Sequence, residues 1–337
     1  MAYTTIDNPE LYFQAKTYTG DGGTTQALTL DGSENMQPDL VWVKMRSESQ
    51  SHILVDSVRG ANKYLGSNHT GVEGTDINSV TAFGSDGFTV GNDNAVNKSS
   101  GTYVAWNWKK DATAGFDIVT YTGNGSNRTV SHSLSAKPDW MLHKTRDTTA
   151  QMWSVYHSSR GATKHLGLDR TNAEDTGSNY YQDTEPTSSV FSVGSESSTN
   201  HNGAAMLTYL WSEVKGFSKF GSYTGNATGG NEGPFIYTGF KPAWIMIKNA
   251  SAGSTDWLIY DNKRGGPVAT YYGNNNKFFL KANTGVAEAN ETFDMYSNGF
   301  KIKITNNFLN GDGNTLIYMA FAESPFVSSN KIPTTAR

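Results

Sequence analysis

One series of landmarks occurs three times along the 337 residues, in the same order and nearly in step. Tyr-Thr-Gly begins at Tyr18, Tyr121 and Tyr223, spaced 103 and 102 residues apart. An apolar run follows a proline each time, from Pro38 to Lys44, Pro138 to Lys144 and Pro242 to Lys248. A polar residue then stands three positions before Arg-Gly: Asp56 with Arg59, His157 with Arg160, Asp261 with Arg264. Glu73, Glu174 and Glu288 follow Leu65, Leu166 and Leu280 by eight residues each. The copies close on Tyr103-Val-Ala-Trp106, Met206-Leu-Thr-Tyr209 and Tyr318-Met-Ala-Phe321. Solenoid and propeller repeats run roughly 20 to 50 residues, because one unit does not fold without its neighbours; about one hundred residues suffice for a domain with its own core. The period therefore predicts three tandem domains, at 14–112, 113–215 and 216–324, between an N-terminal arm (1–13) and a C-terminal tail (325–337).

The first copy shows what each domain is made of. Runs rich in β-branched and aromatic residues cover Ala15–Gly20, Gln26–Leu30, Leu40–Lys44, Ile53–Val55, Ser79–Phe83, Gly87–Val90 and Thr102–Trp108. Gly, Asn, Asp and Ser separate them, as turns require. Charged residues make up 17% of the chain, below the roughly 25% of ordinary domains, which suits short strands and tight turns better than helices. The fold class expected is all-β, with three tandem antiparallel β-sandwich (jelly-roll-like) domains. In the third copy the distance from Arg to Glu grows from 14 to 24 residues, while Leu280 keeps its spacing to Glu288. The ten extra residues lie between Arg264 and Leu280 and are expected to form a surface excursion.

Composition narrows function mainly by exclusion. A net charge of −4 offers no basic field for phosphate neutralisation, so no nucleic-acid partner is expected. No stretch approaches the roughly 18 apolar residues of a membrane span. The start lacks the basic and apolar segments of a signal peptide, and cysteine is absent, so assembly in the cytoplasm is expected. The seven histidines show no metal-ligand spacing, and no phosphate loop or nucleophile elbow occurs; no cofactor or metal is expected.

The recurring polar set is the sharpest signature: Asp56, Arg59 and Glu73; His157, Arg160 and Glu174; Asp261, Arg264 and Glu288. A carboxylate and guanidinium facing a ligand is one reading. A turn leaving a strand, with the glutamate as partner of the arginine, is the other. Repetition favours the second, because enzymes seldom keep three copies of one catalytic site. Trp42, Trp140 and Trp244, aligned with one another, sit in the most apolar runs and read as core. Trp153 and Trp257 match each other with His52 in the first copy, which reads as a partly exposed position. Trp108 and Trp211 align with Glu323, which argues against core. Trp108, Trp153, Trp211 and Trp257 are thus the candidate ligand-contact aromatics. Asp147, Asp183 and Asp256 are unrepeated carboxylates, which a glycosidase would need as a close pair. In the extended tail, Phe326, Val327 and Ile332 are candidates for docking on a neighbouring subunit.

Six further stretches stand out: Tyr121-Thr-Gly-Asn-Gly125, Gly239-Phe-Lys-Pro-Ala-Trp-Ile-Met-Ile-Lys248, Tyr260-Asp-Asn-Lys-Arg264, Ser297-Asn-Gly-Phe300, Tyr318-Met-Ala-Phe-Ala-Glu323 and Ile332-Pro-Thr-Thr-Ala-Arg337. In these the chain resembles a family of virion structural proteins of marine tailed bacteriophages, described as tail-fibre-like. The resemblance implies a non-enzymatic tail-fibre or host-adhesion component located in the virion. Its partners would be other virion proteins, further copies of itself (a trimer is one arrangement) and a host-surface glycan or protein. A head-surface decoration protein and a polysaccharide-degrading tailspike-type enzyme are the alternative expectations.

Overall fold

A strand with one wet face alternates apolar and polar residues; a continuous apolar run means that both faces are covered. Leu40–Met45 and Trp140–Thr145 are buried along their whole length, and Phe240–Asn249 at all but Lys241. In the computed structural model, which describes residues 4–148, 151–265 and 275–325, each of these strands lies inside a sheet with packing on both sides. The protein is all-β, and every strand pairing described is antiparallel.

One strand order recurs. The first sheet runs Phe13–Thr19, Thr102–Trp108, Leu40–Met45, Ile53–Asp56, Lys63–Leu65, Gly74–Thr75. The second runs Phe116–Thr122, Ala205–Trp211, Trp140–Thr145, Ser154–His157, Lys164–Gly167, Asp175–Thr176. The third runs Ser218–Thr224, Thr315–Pro325, Phe240–Asn249, Leu258–Asp261, Asn275–Lys281, and continues through Ala289–Tyr296 and Gly299–Ile302 to Phe235–Tyr237. A smaller sheet covers one face in the first two repeats: Gln26–Thr29, Gly87–Val90 and Val80–Gly84 in the first, Arg128–Ser131 and Val190–Val193 in the second. The inserted segment of the third repeat and the tail with Phe326, Val327 and Ile332 lie outside the described residues, save for the start of the strand at Asn275.

Side chains sort by face. In the first repeat Val41, Val43, Met45, Tyr103 and Ala105 point toward the smaller sheet and form a local core. Leu40, Trp42, Val104, Trp106 and Trp108 point the other way, into a cluster that gathers residues from all three repeats. The second and third repeats have local cores of their own. All eight tryptophans lie in the shared cluster, each at most 3% exposed. The tryptophans expected in the interiors of separate domains are therefore mortar between repeats.

The Tyr-Thr-Gly motif has a local explanation. The hydroxyls of Tyr18, Tyr121 and Tyr223 donate to the carbonyls of Val96, Thr199 and Leu309, in or beside the one-turn helices Asn94–Asn97, Ser197–Asn200 and Asn307–Asn310. The glycine two residues later passes so close to the chain that a Cβ would lie 2.3, 2.1 and 2.1 Å from the carbonyl oxygens of Lys98, His201 and Gly311. Only glycine fits there.

Strand register corrects two alignments. Leu40, Trp140 and Trp244 face Trp108, Trp211 and Phe321, so these are the corresponding positions. Trp42 corresponds to Leu142 and Met246, and the counterpart of Trp108 is Phe321, not Glu323. The sequence reading slipped by two residues at both places. A slip of two keeps every side chain on its proper face, so hydrophobic alternation is blind to it.

Candidate functional site: the seams between repeats

The recurring polar residues meet at three seams. In the first, the Arg59 side chain is fully buried; its Nε contacts Asp56 Oδ2 at 2.5 Å and its Nη1 contacts Glu73 at 3.1 Å. Its Nη2 donates to the carbonyl of Leu54 (3.0 Å) and to the Tyr209 hydroxyl of the second repeat (3.1 Å). Tyr209 in turn donates to Asp56 Oδ2 (2.8 Å). Arg146, also from the second repeat, grips Glu73 through two bonds of 2.8 and 2.9 Å, while the Glu73 amide donates to the Arg146 carbonyl. Burial pushes the Glu73 carboxyl up, but the arginine hydrogen bonds outweigh it and hold it below the usual carboxylate range. Two carboxylates and two guanidiniums make the seam neutral, the condition for burying charge at tolerable cost.

The seam from the third repeat to the first is built alike. Arg264 holds Asp261 at 2.6 Å and Glu288 at 3.0 Å, and Trp106 of the first repeat donates its indole N–H to Asp261 (2.8 Å). Arg46 takes the role of Arg146, binding Glu288 at 3.0 and 2.9 Å. With the second-to-third seam below, contacts run from first to second, second to third and third to first. The three repeats close a ring.

The middle seam departs from the pattern, and the departures explain one another. Register places Met319 of the third repeat at the position that Tyr209 and Trp106 hold in the second and first. A thioether donates no hydrogen bond, so an aspartate there would lack its third partner. Instead His157 accepts from the Ser159 amide at Nδ1 and donates from Nε2 to the Tyr318 carbonyl (3.2 Å). Burial pushes its imidazole down to about 4, so it is neutral. With no carboxylate at 157, Arg160 turns to Glu174 in a bidentate pair, and the position of Arg46 and Arg146 is Ala250, whose carbonyl accepts from the Glu174 amide. This seam too is neutral.

The aromatics proposed as ligand contacts have no free face. Trp108, Trp153, Trp211 and Trp257 are 0–3% exposed inside the shared cluster, and that expectation is corrected. Trp153 donates its indole N–H to the Gly66 carbonyl, and Trp257 donates to that of Gly167. His52, fully buried, brings Nε2 within 2.9 Å of the Lys281 carbonyl. Each ties its repeat to the one before it. What indole and imidazole share is a flat N–H donor, and that signal was legible; reading the His as tolerance of water was the error. Asp147 accepts from the Ala205 amide, and Asp256 is held by Lys281 and Asn283. Asp183 sits at φ 49°, in the left-handed region.

Sequence reasoning missed three further residues, Lys44, Lys144 and Lys248, which occupy corresponding positions facing Val104, Leu207 and Ile317. Their residues are 0% exposed, and burial lowers each ammonium to about 8. They are satisfied by carbonyls, of Met45, Gln151 and Thr255, with Lys248 also reaching Thr171 across the middle seam. A lysine ending an apolar run reads as a strand leaving the core, so nothing marked them. Among the described residues no group of His, Asp or Glu is placed to hold a metal ion.

Repeated sheets of one order, sealed to each other by neutral polar seams, define an all-β protein whose recurring motifs are its framework. Over residues 8–325 the chain matches the family described as "Domain of unknown function (DUF7483)", and it belongs to that family. No curated protein matches it.

Proposed function

We propose that the protein is a non-enzymatic structural component of a bacteriophage virion, made of three jelly-roll-like β-sandwich units and serving in a tail fibre or other host-attachment device. It is assembled in the host cytoplasm, in several copies, against other virion proteins. The observation that carries the reading is that the recurring Asp/His, Arg and Glu set is committed to ion pairs and hydrogen bonds at the seams where the repeats meet. Asp56, Asp261, Glu73, Glu174 and Glu288 are all committed to arginines, which leaves them unsuited to proton transfer. A cysteine-free framework held by packing and neutral seams suits a particle that must persist outside the cell. The likeness to tail-fibre-like phage proteins gives the reading its direction.

A second reading, a head-surface decoration protein, is favoured by the closed ring: three like faces in one chain suit a threefold position of a lattice. Immunogold labelling of intact particles tests both. Label along the tail is expected; label confined to the capsid replaces attachment by decoration, and particles without label refute a virion role.

A further inference from the structure

Beside the middle seam the second repeat departs from the first, and a pocket opens there. Where the first repeat has the turn Ile77–Ser79 leading into the strand Val80–Gly84, the second has the one-turn helix Ser178–Tyr181, which puts Tyr180 at the place of Ser79. Tyr180 from that helix stacks on His165, ring centroids 3.5 Å apart, and together they wall a cavity of about 350 Å³ floored by Gly167. That volume falls within the roughly 300–1,000 Å³ of small-molecule sites. The floor is fixed from below, since the Gly167 carbonyl holds the Trp257 indole. At the corresponding place in the first repeat His69 lies over Gly66, a Cβ there falling 2.1 Å from its Nε2; in the third the floor is Lys281, bound to Asp256.

The walls define the ligand's chemistry. Arg170, Asn172 and the Tyr180 hydroxyl make no side-chain hydrogen bond or ion pair with any described residue, so donors stand ready. Asp175 in the same lining offers acceptor oxygens, one of them also holding the Thr176 amide. Charge is balanced: Glu174 is neutralised by Arg160, and Arg170 and Asp175 share the same lining. A phosphate or sulfate would need donors alone and would meet two carboxylates. An apolar ligand would strip water from these polar groups without replacing their bonds. A neutral saccharide has hydroxyls that both donate and accept, and a C–H face for the tyrosine ring. We infer that the second repeat carries a saccharide-binding site for a neutral hexose-type unit, with Arg170, Asn172 and Asp175 reading hydroxyls and Tyr180 packing the sugar face. The inference deepens the attachment reading and rests on it for preferring a saccharide to other neutral polyols.

The full-length protein is screened on a printed array of neutral and acidic oligosaccharides, and a binding chain is then titrated calorimetrically. Binding to hexose-containing neutral chains is expected, weakened at least about tenfold by Arg170→Ala and by Tyr180→Ala, and unchanged by His69→Ala in the first repeat. Tyr180→Phe and Asp175→Asn, which keep the shape, should each weaken binding several-fold with the unfolding midpoint unmoved. The inference is overturned by an array without any bound chain, by affinity indifferent to all four pocket variants, or by binding confined to acidic chains. Release of reducing ends from a bound chain would also overturn it, by making the site hydrolytic. Tail labelling without saccharide binding sinks the pocket alone; capsid labelling with saccharide binding sinks the attachment reading alone.

Discussion

Removing one oxygen from Tyr209 tests whether the seams are sealed. The hydroxyl is both donor to Asp56 Oδ2 (2.8 Å) and acceptor from Arg59 Nη2 (3.1 Å), and Tyr209, Asp56 and the Arg59 side chain are all 0% exposed. In Tyr209→Phe, Asp56 keeps the Arg59 Nε and amide, and Arg59 Nη2 keeps the Leu54 carbonyl, but two charge-assisted bonds vanish where water has no access. Such bonds contribute about 1.5–3 kcal/mol each, shared here through one atom, so a loss of about 2–4 kcal/mol is expected. Tyr18→Phe is the control: its hydroxyl donates to the neutral Val96 carbonyl, and its loss should cost about 1 kcal/mol. Urea unfolding followed by tryptophan fluorescence measures both, because all eight indoles report from the shared cluster. If Tyr209→Phe cost no more than Tyr18→Phe, solvent would be reaching the seam and the account of buried neutral charge networks would be wrong.

The middle repeat alone, residues 113–215, should lack a cooperative unfolding transition, because Trp140, Trp153 and Trp211 would face water; a sharp transition in the isolated piece would show that its local core suffices. Arg146→Ala should cost about 1–3 kcal/mol in urea unfolding by stripping Glu73 of its bidentate partner, whereas Ala250→Arg should change little, since Arg160 already occupies Glu174. Burial holds His157 and His165 at about 4 and His143 at about 3, below an unfolded value near 6.5, so their stabilising share is complete above pH 6.5 and is lost as pH falls toward 4. That is about 2 kcal/mol each for the fully buried His143 and His157 between pH 7.5 and 5, and less for the partly screened His165, and His157→Gln should flatten the measured slope. Lys44, Lys144 and Lys248, lowered by burial to about 8 from 10.5, work over a higher window: the unfolded chain binds more protons between those values, so stability should rise from pH 7 to 9.5 by about 2 kcal/mol per lysine, and Lys144→Met should reduce that rise.

The sequence shows clearly what depends on local repetition. Strand identity, antiparallel pairing and the Arg–Glu pairs follow from alternation, turn residues and constant spacing, and Arg59–Glu73, Arg160–Glu174 and Arg264–Glu288 all form. What depends on three sheets meeting was not legible. The runs at Leu40, Trp140 and Trp244 are apolar on both faces, yet such a run is equally compatible with a deep private core and with a shared one. The partners Tyr209, Trp106, Arg46 and Arg146 belong to neighbouring copies, and no spacing rule connects residues about 75 to 240 positions apart. The pocket was hidden because its lining comes from the very places where the copies differ, and repeat logic discounts differences.

Those differences are what a covalently joined ring permits. In a trimer of identical chains every seam must be the same, so a change at one becomes a change at three. Here His157, Met319, Arg160 and Ala250 form a coupled set confined to one seam. The missing donor at 319 disfavours an aspartate at 157, the histidine frees Arg160, Arg160 takes Glu174, and Glu174 no longer needs a guanidinium at 250. Glu174 also lines the pocket, with Asp175 beside it, and its pairing inside the repeat leaves Arg170 free of that carboxylate. The altered seam and the pocket thus share a residue. Returning this seam to the pattern of the other two, with aspartate at 157, a hydroxyl or indole donor at 319 and arginine at 250, would draw Glu174 toward the third repeat and Arg160 toward position 157. Saccharide affinity should then change with the seam, though none of the three substituted positions lines the pocket.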